Sequence, residues 1–367
     1  MFKTIFVLAL MLLVAIINLT AATLEETLQS LSGAAAESYV NPMVSAFGSD
    51  MNGGWFHKAP RAKKFKWDLE FGVVMMGTMF GDSDKDFSVS GNFNFSREQA
   101  QTLVSNYSSN PAYNDLVEAI MDQPFTVSIS GPTITGPTYD DNGTPNDPDD
   151  DLNTIDIDFA ARNIMIDGNP YSIEQNIIRI PVGGILEDLP MLPLAAPQLS
   201  LGTIYGTKIA LRYLPEIELT PEIGSLKYLG YGIQHNPAIW LPVPIPVDVA
   251  LAYFTQQMDI GTIVETSAST YGLNVSKTFG LKLMSVTPYA GFSGESSKMK
   301  FSYDYILETP TTGAPVTSNV SFDVEGKNTN RLTAGLSFRL AILNFNVDYN
   351  LAKYPSATAG IMFNFSW

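Results

Sequence analysis

Apolar residues alternate with mostly small or polar ones along the C-terminal stretch from Ala357 to Trp367. This period of two predicts a β-strand with one apolar face. Strands of transmembrane barrels span the bilayer in about 9–11 residues and carry aromatic side chains where they leave the lipid. A chain ending on tryptophan fits that pattern, and an edge strand in a soluble sandwich is the alternative.

The same alternation recurs along the chain and is strongest at residues 343–351, where the polar face carries only Asn and Asp. Roughly 12–14 such segments, separated by turn residues, predict an all-β fold, a transmembrane antiparallel β-barrel. Residues 66–367 are assigned to the barrel, with a helical insertion near 97–121. A proline- and leucine-rich stretch at 189–197 is predicted to be a linker, because proline is unsuited to an interior strand.

The N-terminus predicts export from the cytoplasm. Lys3 precedes an apolar run from Ile5 to Ile17, and small residues up to Ala22 provide a cleavage site. These features are typical of a secretory signal peptide at residues 1–22, with an apolar run too short for a membrane-spanning helix. Since an exported chain without a spanning helix can live in a bilayer only as a closed barrel, the predicted location is the cell outer membrane.

Residues 23–65 precede the barrel and have a different character. A short helix is predicted at 23–31, and residues 32–65 show neither helical nor strand periodicity. Basic residues gather at the end of this stretch, at Lys58, Arg61, Lys63, Lys64 and Lys66. The segment is long enough to obstruct a lumen of intermediate size. It is predicted to be either a luminal plug or a flexible periplasmic leader.

Composition narrows the possible functions. Charged residues make up 16% of the chain, whereas soluble domains typically have about 25%. The net charge of −16 argues against a nucleic-acid partner, and the absence of cysteine excludes disulfides and thiolate sites. The two histidines, His57 and His235, accompany no nucleophile-elbow motif, so neither catalytic residues nor a cofactor are predicted.

Six polar residues are predicted to face the lumen and are the candidates for substrate contact: Lys208, Arg212, Asp248, Arg339, Asn344 and Asp348. Pairing among themselves across the lumen is the alternative. Asp147, Asp149 and Asp151 offer oxygen ligands for a cation such as calcium. A solvated acidic loop is the simpler interpretation, because the spacing lacks the glycine and glutamate of the helix-loop-helix calcium site.

Several stretches carry a resemblance to known proteins. The stretches 33–42, with Asn41-Pro42, and 52–59, with Gly53-Gly54-Trp55, together with 190–215 and the last two strands, resemble an uncharacterised family of outer-membrane β-barrel proteins. The small-residue leader with Asn41-Pro42 also resembles, more loosely, the long-chain fatty-acid transporter family. That second resemblance implies a barrel plugged by its own N-terminus and a hydrophobic substrate.

The leading hypothesis is passive transport of hydrophobic or amphipathic small molecules across the outer membrane. The alternative is a structural or surface-binding barrel with a filled lumen, and a barrel hydrolase is a third. Expected partners are outer-membrane lipid, a small hydrophobic ligand and the barrel-insertion machinery, which would act on the strand ending at Trp367; a monomer is expected. If the C-terminus is periplasmic, residues 326–330 and 352–356 point outward.

Overall fold

The computed structural model describes residues 33–366 except 94, 96, 124, 141, 144–152, 183, 188, 221–223, 243–244, 282 and 309–314. The predicted signal peptide, the predicted helix at 23–31, the aspartates at 147, 149 and 151, and Trp367 lie outside the described residues. The chain forms two compact units; described residues of the first fall within 41–81 and 188–367, and those of the second within 30–40 and 82–187. No described helix is long and apolar enough to cross a membrane.

Within the described part of the first unit, ten strands form the wall of a closed antiparallel barrel. The first and last strands pair from Thr78–Ser356 to Asp68–Ser366 and thereby close the ring. With strands numbered in chain order, the wall consists of β1 (Phe65–Met79), β8 (Met191–Ile204), β9 (Thr207–Thr220), β10 (Gly224–His235), β11 (Asp248–Ile260), β12 (Val264–Ser276), β14 (Met284–Glu308), β16 (Asn330–Leu340), β17 (Leu343–Leu351) and β18 (Ser356–Ser366). Two further strands, β13 (Phe279–Gly280) and β15 (Pro315–Glu325), pair with β14.

The all-β barrel class is confirmed, but the predicted number of 12–14 strands is wrong. The alternating segments near residues 87, 125 and 155 are not wall strands and lie in the second unit. Its strands are β2 (Asp86–Phe93), β3 (Phe125–Pro132), β4 (Ile155–Phe159), β5 (Arg162–Ile166), β6 (Asn169–Ile173) and β7 (Asn176–Ile180). Each is shorter than the roughly 9–11 residues that a membrane-spanning strand requires.

The predicted linker at 189–197 is also wrong, because these residues belong largely to β8. Pro193 and Pro197 pair with Gly77 and Val73 of β1. The pairing of β8 with β9 begins only at Gln198, so both prolines lie where one edge of β8 is unpaired. Proline is tolerated there because its missing N–H costs no ladder hydrogen bond.

Wall strands alternate between exposed apolar and buried side chains, as predicted. In β17, Phe345 and Val347 are exposed on the outside, whereas Asn344 and Asn350 are buried inside. Exposed apolar side chains on so much of the outer surface are compatible with lipid rather than water. The barrel therefore has the fold and surface of an outer-membrane β-barrel.

The barrel has two rims. The C-terminal rim contains Phe65, Ser366 and the turns at 205–206 and 341–342, and the opposite rim contains Met79 and the loops at 326–329 and 352–355. Exposed aromatic side chains gather at the C-terminal rim, at Phe65, Trp67, Tyr205, Trp240 and Phe279. Such a girdle is typical of the boundary between lipid and water.

The second unit has its own core. Strands β2, β3, β4 and β7 form one antiparallel sheet, and β5 pairs with β6. Helices α2 (Arg97–Leu103) and α3 (Tyr113–Asp122) pack their apolar side chains with those of the strands, and Leu116, Val117 and Ile120 of α3 are buried. Short 3-10 helices occur at Asp82–Asp84 and Ser105–Tyr107 here and at Pro237–Trp240 in the first unit.

The first helix, α1 (Gly33–Asn52), was not predicted, because residues 32–65 show no helical period. Most of its side chains are buried, including Tyr39, Val44 and Met51. A helix buried on all sides shows no polar stripe in its sequence. Pro42 within it further weakens the helical signal, since proline removes a hydrogen-bond donor.

Candidate functional site: the luminal segment and the basic chamber

Residues 41–64, the luminal segment, run along the inside of the barrel from the opposite rim to the C-terminal rim. Near the opposite rim, the Asn41 amide donates to Glu325 O at 3.2 Å. At the C-terminal rim, the amide of Asn236 donates to Pro60 O at 2.7 Å, and the backbone N–H of Tyr205 donates to Lys64 O at 2.8 Å. The segment thus spans the lumen lengthwise and ends where β1 begins.

Arg212 of β9 holds the middle of the luminal segment. Its guanidinium donates to Met51 O at 3.1 Å, to Gly53 O at 2.8 Å and to the Gln198 side-chain oxygen at 2.9 Å. The same group lies 4.0 Å from the centre of a Trp55 ring, which makes a cation–π contact. Arg212 has no exposed surface, so these contacts form away from solvent.

The backbone at Gly54 depends on having no side chain. Its φ of +65° lies in the left-handed region that favours glycine. A Cβ at this position would lie 2.5 Å from Cγ1 of Val74 on the wall. Glycine therefore allows the segment to turn close to β1, directly beside Arg212.

A second arginine, Arg331 of β16, holds the helical part of the segment. It pairs with Glu295 at 2.9 Å and donates to Ser49 O at 2.6 Å. The hydroxyl of Ser49 lies 3.3 Å from that of Ser356 on β18. The wall therefore contacts the helix through two strands, β16 and β18.

Apolar packing adds to these polar contacts. Met51 is fully buried in a cluster with wall side chains that point inward, among them Val74, Met76, Leu214 and Met362. Removing such surface from water is favourable by about 25 cal/mol per Å². The lumen near Met51 is consequently a packed protein interior.

A cavity of about 510 Å³ opens inside the C-terminal rim and is called the basic chamber. Cationic side chains from both the luminal segment and the wall line it. The cations are Lys58, Arg61, Lys63, Lys66, Lys208 and Arg339, and the carboxylates in the lining are Asp68 and Asp248. This cationic surface stands out in a chain of net charge −16.

Glu70 of β1 organises the inner end of the chamber. It is fully buried and forms ion pairs with Lys58 at 2.6 Å and with Lys208. His57 lies 3.3 Å from the same carboxylate, and the Asn364 amide donates to it. A buried carboxylate needs such partners, because an unpaired buried charge is strongly destabilising.

The structure brings four of the six predicted luminal residues together. Lys208, Asp248, Arg339 and Asn344 line the basic chamber. Arg212 instead binds the luminal segment, and Asp348 lies deeper. There Asp348 accepts hydrogen bonds from the Tyr289 hydroxyl at 2.8 Å and from the Asn350 amide at 2.9 Å.

Sequence reasoning missed the partners of these residues. The sequence places Glu70 on the polar face of an alternating stretch and Lys58 in a basic cluster, and neither pattern indicates that the two side chains pair. The available signal was the cluster of cations just before β1. Because β1 begins at a rim of the barrel, residues directly before it must lie near that rim. Periodicity cannot show that the segment folds back along the lumen.

Neither histidine forms a hydrogen bond to a serine within the described residues. His57 contacts Glu70, and His235 lies 2.9 Å from the Thr207 hydroxyl while its other ring nitrogen accepts from Trp240 at 3.2 Å. In the described part of the chain, no group of three or more acidic or histidine side chains is placed to hold a metal ion. The aspartates predicted as a metal site lie outside it.

The wall is irregular where β1 meets β8, beside the chamber. The register shifts between Phe65 and Asp68 on β1 and between Gly202 and Ile204 on β8. An outer groove of about 120 Å³, lined mainly by apolar side chains such as Trp67 and Ile204, lies at this seam. Phe65 and Lys66 border both the groove and the chamber.

Comparison with known proteins identifies a family but no activity. The model of a family of unknown function (DUF6588) matches residues 1–365. No curated protein matches the chain. The resemblance to the long-chain fatty-acid transporter family finds no support in these comparisons.

Solved structures similar to this chain are outer-membrane proteins. The β-domain of the Bordetella autotransporter BrkA is 10% identical, with 81% of this chain and 100% of that chain covered and a TM-score of 0.20. OmpT of Vibrio cholerae is 8% identical, with 82% and 100% covered and a TM-score of 0.21. A BenF-like porin from Pseudomonas fluorescens is 10% identical, with 82% and 98% covered and a TM-score of 0.19. Scores this low carry no functional weight, and the strand pairing of this chain itself defines the barrel.

Proposed function

Because the chain belongs to this family of unknown function, we propose a function from its geometry: an outer-membrane barrel that is closed at rest by its luminal segment. Solute would cross only when that segment moves. The observation that carries the proposal is the pair of hydrogen bonds that buried Arg212 donates to the backbone carbonyl oxygens of Met51 and Gly53. These bonds hold the luminal segment, which is not part of the wall, across the lumen at mid-height.

The luminal segment is held by contacts that are strong together but noncovalent, as a plug that can be released requires. Each neutral hydrogen bond contributes about 0.5–1.5 kcal/mol, and bonds to charged groups contribute about 1.5–3 kcal/mol. Arg212 and Arg331 together donate three bonds to carbonyl oxygens of the segment. No covalent bond joins the segment to the wall before Phe65, so its release requires only noncovalent contacts to be lost: these three bonds, the packing of Met51, and weaker or peripheral contacts such as Ser49–Ser356 and the Lys58–Glu70 ion pair.

The solute class is narrowed by the chamber. A purely hydrophobic solute would meet mainly charged and polar side chains there. An amphipathic solute fits better, because the apolar outer groove adjoins the chamber at Phe65 and Lys66. Passive transport of amphipathic small molecules is therefore the form of the transport hypothesis that the geometry favours.

A structural or surface-binding barrel without transport is the second candidate. It is favoured by the packed interior around Met51, where inward-pointing wall side chains contact the luminal segment. On this view, the second unit, which is inserted between β1 and β8, would supply the binding function. The two candidates differ in whether the luminal segment is ever released from the barrel wall.

A disulfide lock in planar bilayers separates the candidates. The chain has no cysteine, and the hydroxyls of Ser49 and Ser356 lie 3.3 Å apart, so Ser49→Cys with Ser356→Cys is placed to form a disulfide. This disulfide is combined with Arg212→Ala and Arg331→Ala, which remove hydrogen bonds between the wall and the luminal segment. The single variant Ser356→Cys in the same weakened background is the control for effects of thiol and reductant.

If the transport proposal is right, the variant with both cysteines and both arginine substitutions should show no conductance when its disulfide is oxidised. It should conduct after the disulfide is reduced. Conductance that is equal before and after reduction would show that passage does not require the segment to move. Silence in both states, with exchange measurements showing a released segment, would favour the scaffold. Circular dichroism and resistance to detergent denaturation establish that each variant is folded before it is recorded.

A further inference from the structure

The charges of the basic chamber are unbalanced. Six cations line it, while Asp68, Asp248 and the adjoining Glu70 are the acidic groups associated with it. Lys58 and Lys208 are neutralised by Asp68 and Glu70. Arg339 uses its guanidinium on two neutral acceptors, Ala341 O at 2.8 Å and the Ser366 hydroxyl at 3.2 Å.

Three of the cations have no close partner in the described part of the chain. The side chains of Arg61, Lys63 and Lys66 make neither an ion pair nor a hydrogen bond to any described residue. Asp248 lies near enough to interact electrostatically with all three, and Asp68 interacts with Lys66, but Asp68 already pairs with Lys58. Cations therefore remain in excess over carboxylates. A cavity with this excess of one charge concentrates ions of the opposite sign.

The cations come from two separate parts of the chain. Lys58, Arg61 and Lys63 belong to the luminal segment, whereas Lys66, Lys208 and Arg339 belong to wall strands. An anion in the chamber would therefore touch both parts at once. A volume of about 510 Å³ is in the range of small-molecule sites.

We propose that the basic chamber is a binding site for a small, multiply charged phosphate-type anion, held jointly by the luminal segment and the wall. The three unpartnered cations call for more than one negative charge, and phosphate groups match clustered lysine and arginine donors. The anion bridges the segment to the wall at the C-terminal rim. The site does not require solute to cross the barrel, so its failure would leave the proposed function untouched.

The phosphate group could belong to a free ion or to a lipid-like molecule. The apolar groove shares Phe65 and Lys66 with the chamber, so an acyl chain could lie there while its headgroup occupies the chamber. Two probes separate these sources: inorganic pyrophosphate, and dodecyl phosphate, which carries an alkyl chain. Tighter binding of dodecyl phosphate identifies the lipid-like source, and equal or weaker binding identifies the free ion.

Isothermal titration of the full chain in a neutral maltoside detergent tests the site. Arg61→Gln and Lys66→Gln remove cations that have no structural partner, so folding should be preserved. Each is expected to weaken pyrophosphate binding about tenfold, which is the loss of one charge-assisted hydrogen bond. Lys64→Gln is the matched control, because Lys64 belongs to the same basic stretch but does not line the chamber.

Asp248→Asn provides a change in the other direction. Removing this carboxylate should tighten pyrophosphate binding several-fold, which a merely damaged fold would not do. Absence of saturable binding for both probes would overturn the proposal. Equal weakening by Lys64→Gln and Lys66→Gln would also overturn it, since binding would then reflect general positive charge.

Discussion

Replacing Arg212 with alanine should release the luminal segment at mid-height. The change removes the donors for Met51 O, Gly53 O and the Gln198 side chain, together with the cation–π contact to Trp55. It leaves the wall strands otherwise intact, because Arg212 points inward and its backbone pairing is unaffected.

The expected effect is large. Each buried acceptor left without a donor costs about 1–3 kcal/mol, and a desolvated cation–π contact contributes about 2 kcal/mol. Water entering the vacated space restores part of the loss. A net cost of about 4 kcal/mol remains, which corresponds to roughly a thousandfold shift towards the released segment.

Hydrogen exchange measured by mass spectrometry gives this shift directly. Backbone amides of residues 49–58 should exchange up to about a thousandfold faster in Arg212→Ala than in the original protein, where exchange follows transient local opening. Arg339→Ala is the matched control, because that guanidinium bonds Ala341 and Ser366 rather than the luminal segment. Arg212→Lys keeps the positive charge but loses the planar set of guanidinium donors, so its exchange rate should lie between those of Arg212→Ala and the original protein.

The result that would refute this reasoning is a folded Arg212→Ala protein whose residues 49–58 exchange at the original rate. The segment would then be held mainly by the packing of Met51 and by Arg331. Faster exchange across all wall strands would instead show that the segment stabilises the whole barrel.

Three further substitutions test other parts of the structure. Gly54→Val should reduce the yield of folded barrel strongly, because of the positive φ and the contact with Val74, whereas Gly33→Val, where a Cβ meets nothing within 4 Å, should not. Val347→Arg, at the middle of the exposed face of β17, should lower the free energy of unfolding from lipid vesicles by about 2–4 kcal/mol, against about 0–1 kcal/mol for Phe279→Arg at the C-terminal rim. Glu70→Gln leaves Lys58 and Lys208 without their shared carboxylate and should cost about 3–5 kcal/mol in urea unfolding, whereas Glu265→Gln on the exposed face of β12 should change little.

The barrel could be predicted from sequence because its two environments are so different. In β17, each odd residue is apolar and each even residue is Asn or Asp, since one face meets lipid and the other the interior. The strand number could not be predicted in the same way. Strands such as β4 (Ile155–Phe159) alternate as wall strands do, and only their length and pairing separate them.

The site was predictable only on the wall side. Lys208, Asp248, Arg339 and Asn344 were recognisable as inward polar residues, and they meet in one chamber. The residues of the luminal segment that meet them, such as Lys58, were not, because residues 53–64 form neither helix nor strand and therefore show no periodic pattern. The contact of Arg212 with Met51 joins residues 161 positions apart, and nothing in either neighbourhood of the sequence encodes it.

The lengthwise course of the luminal segment has a consequence for topology. An even number of wall strands places Phe65 and Ser366 at the same rim, so the two ends of the wall face the same compartment. The segment then doubles back, and Asn41 lies at the other rim beside Glu325. Antibodies applied to intact cells should therefore reach only one of two epitopes, one inserted at residue 41 and the other placed next to residue 366, and should reach the second only after the outer membrane is permeabilised.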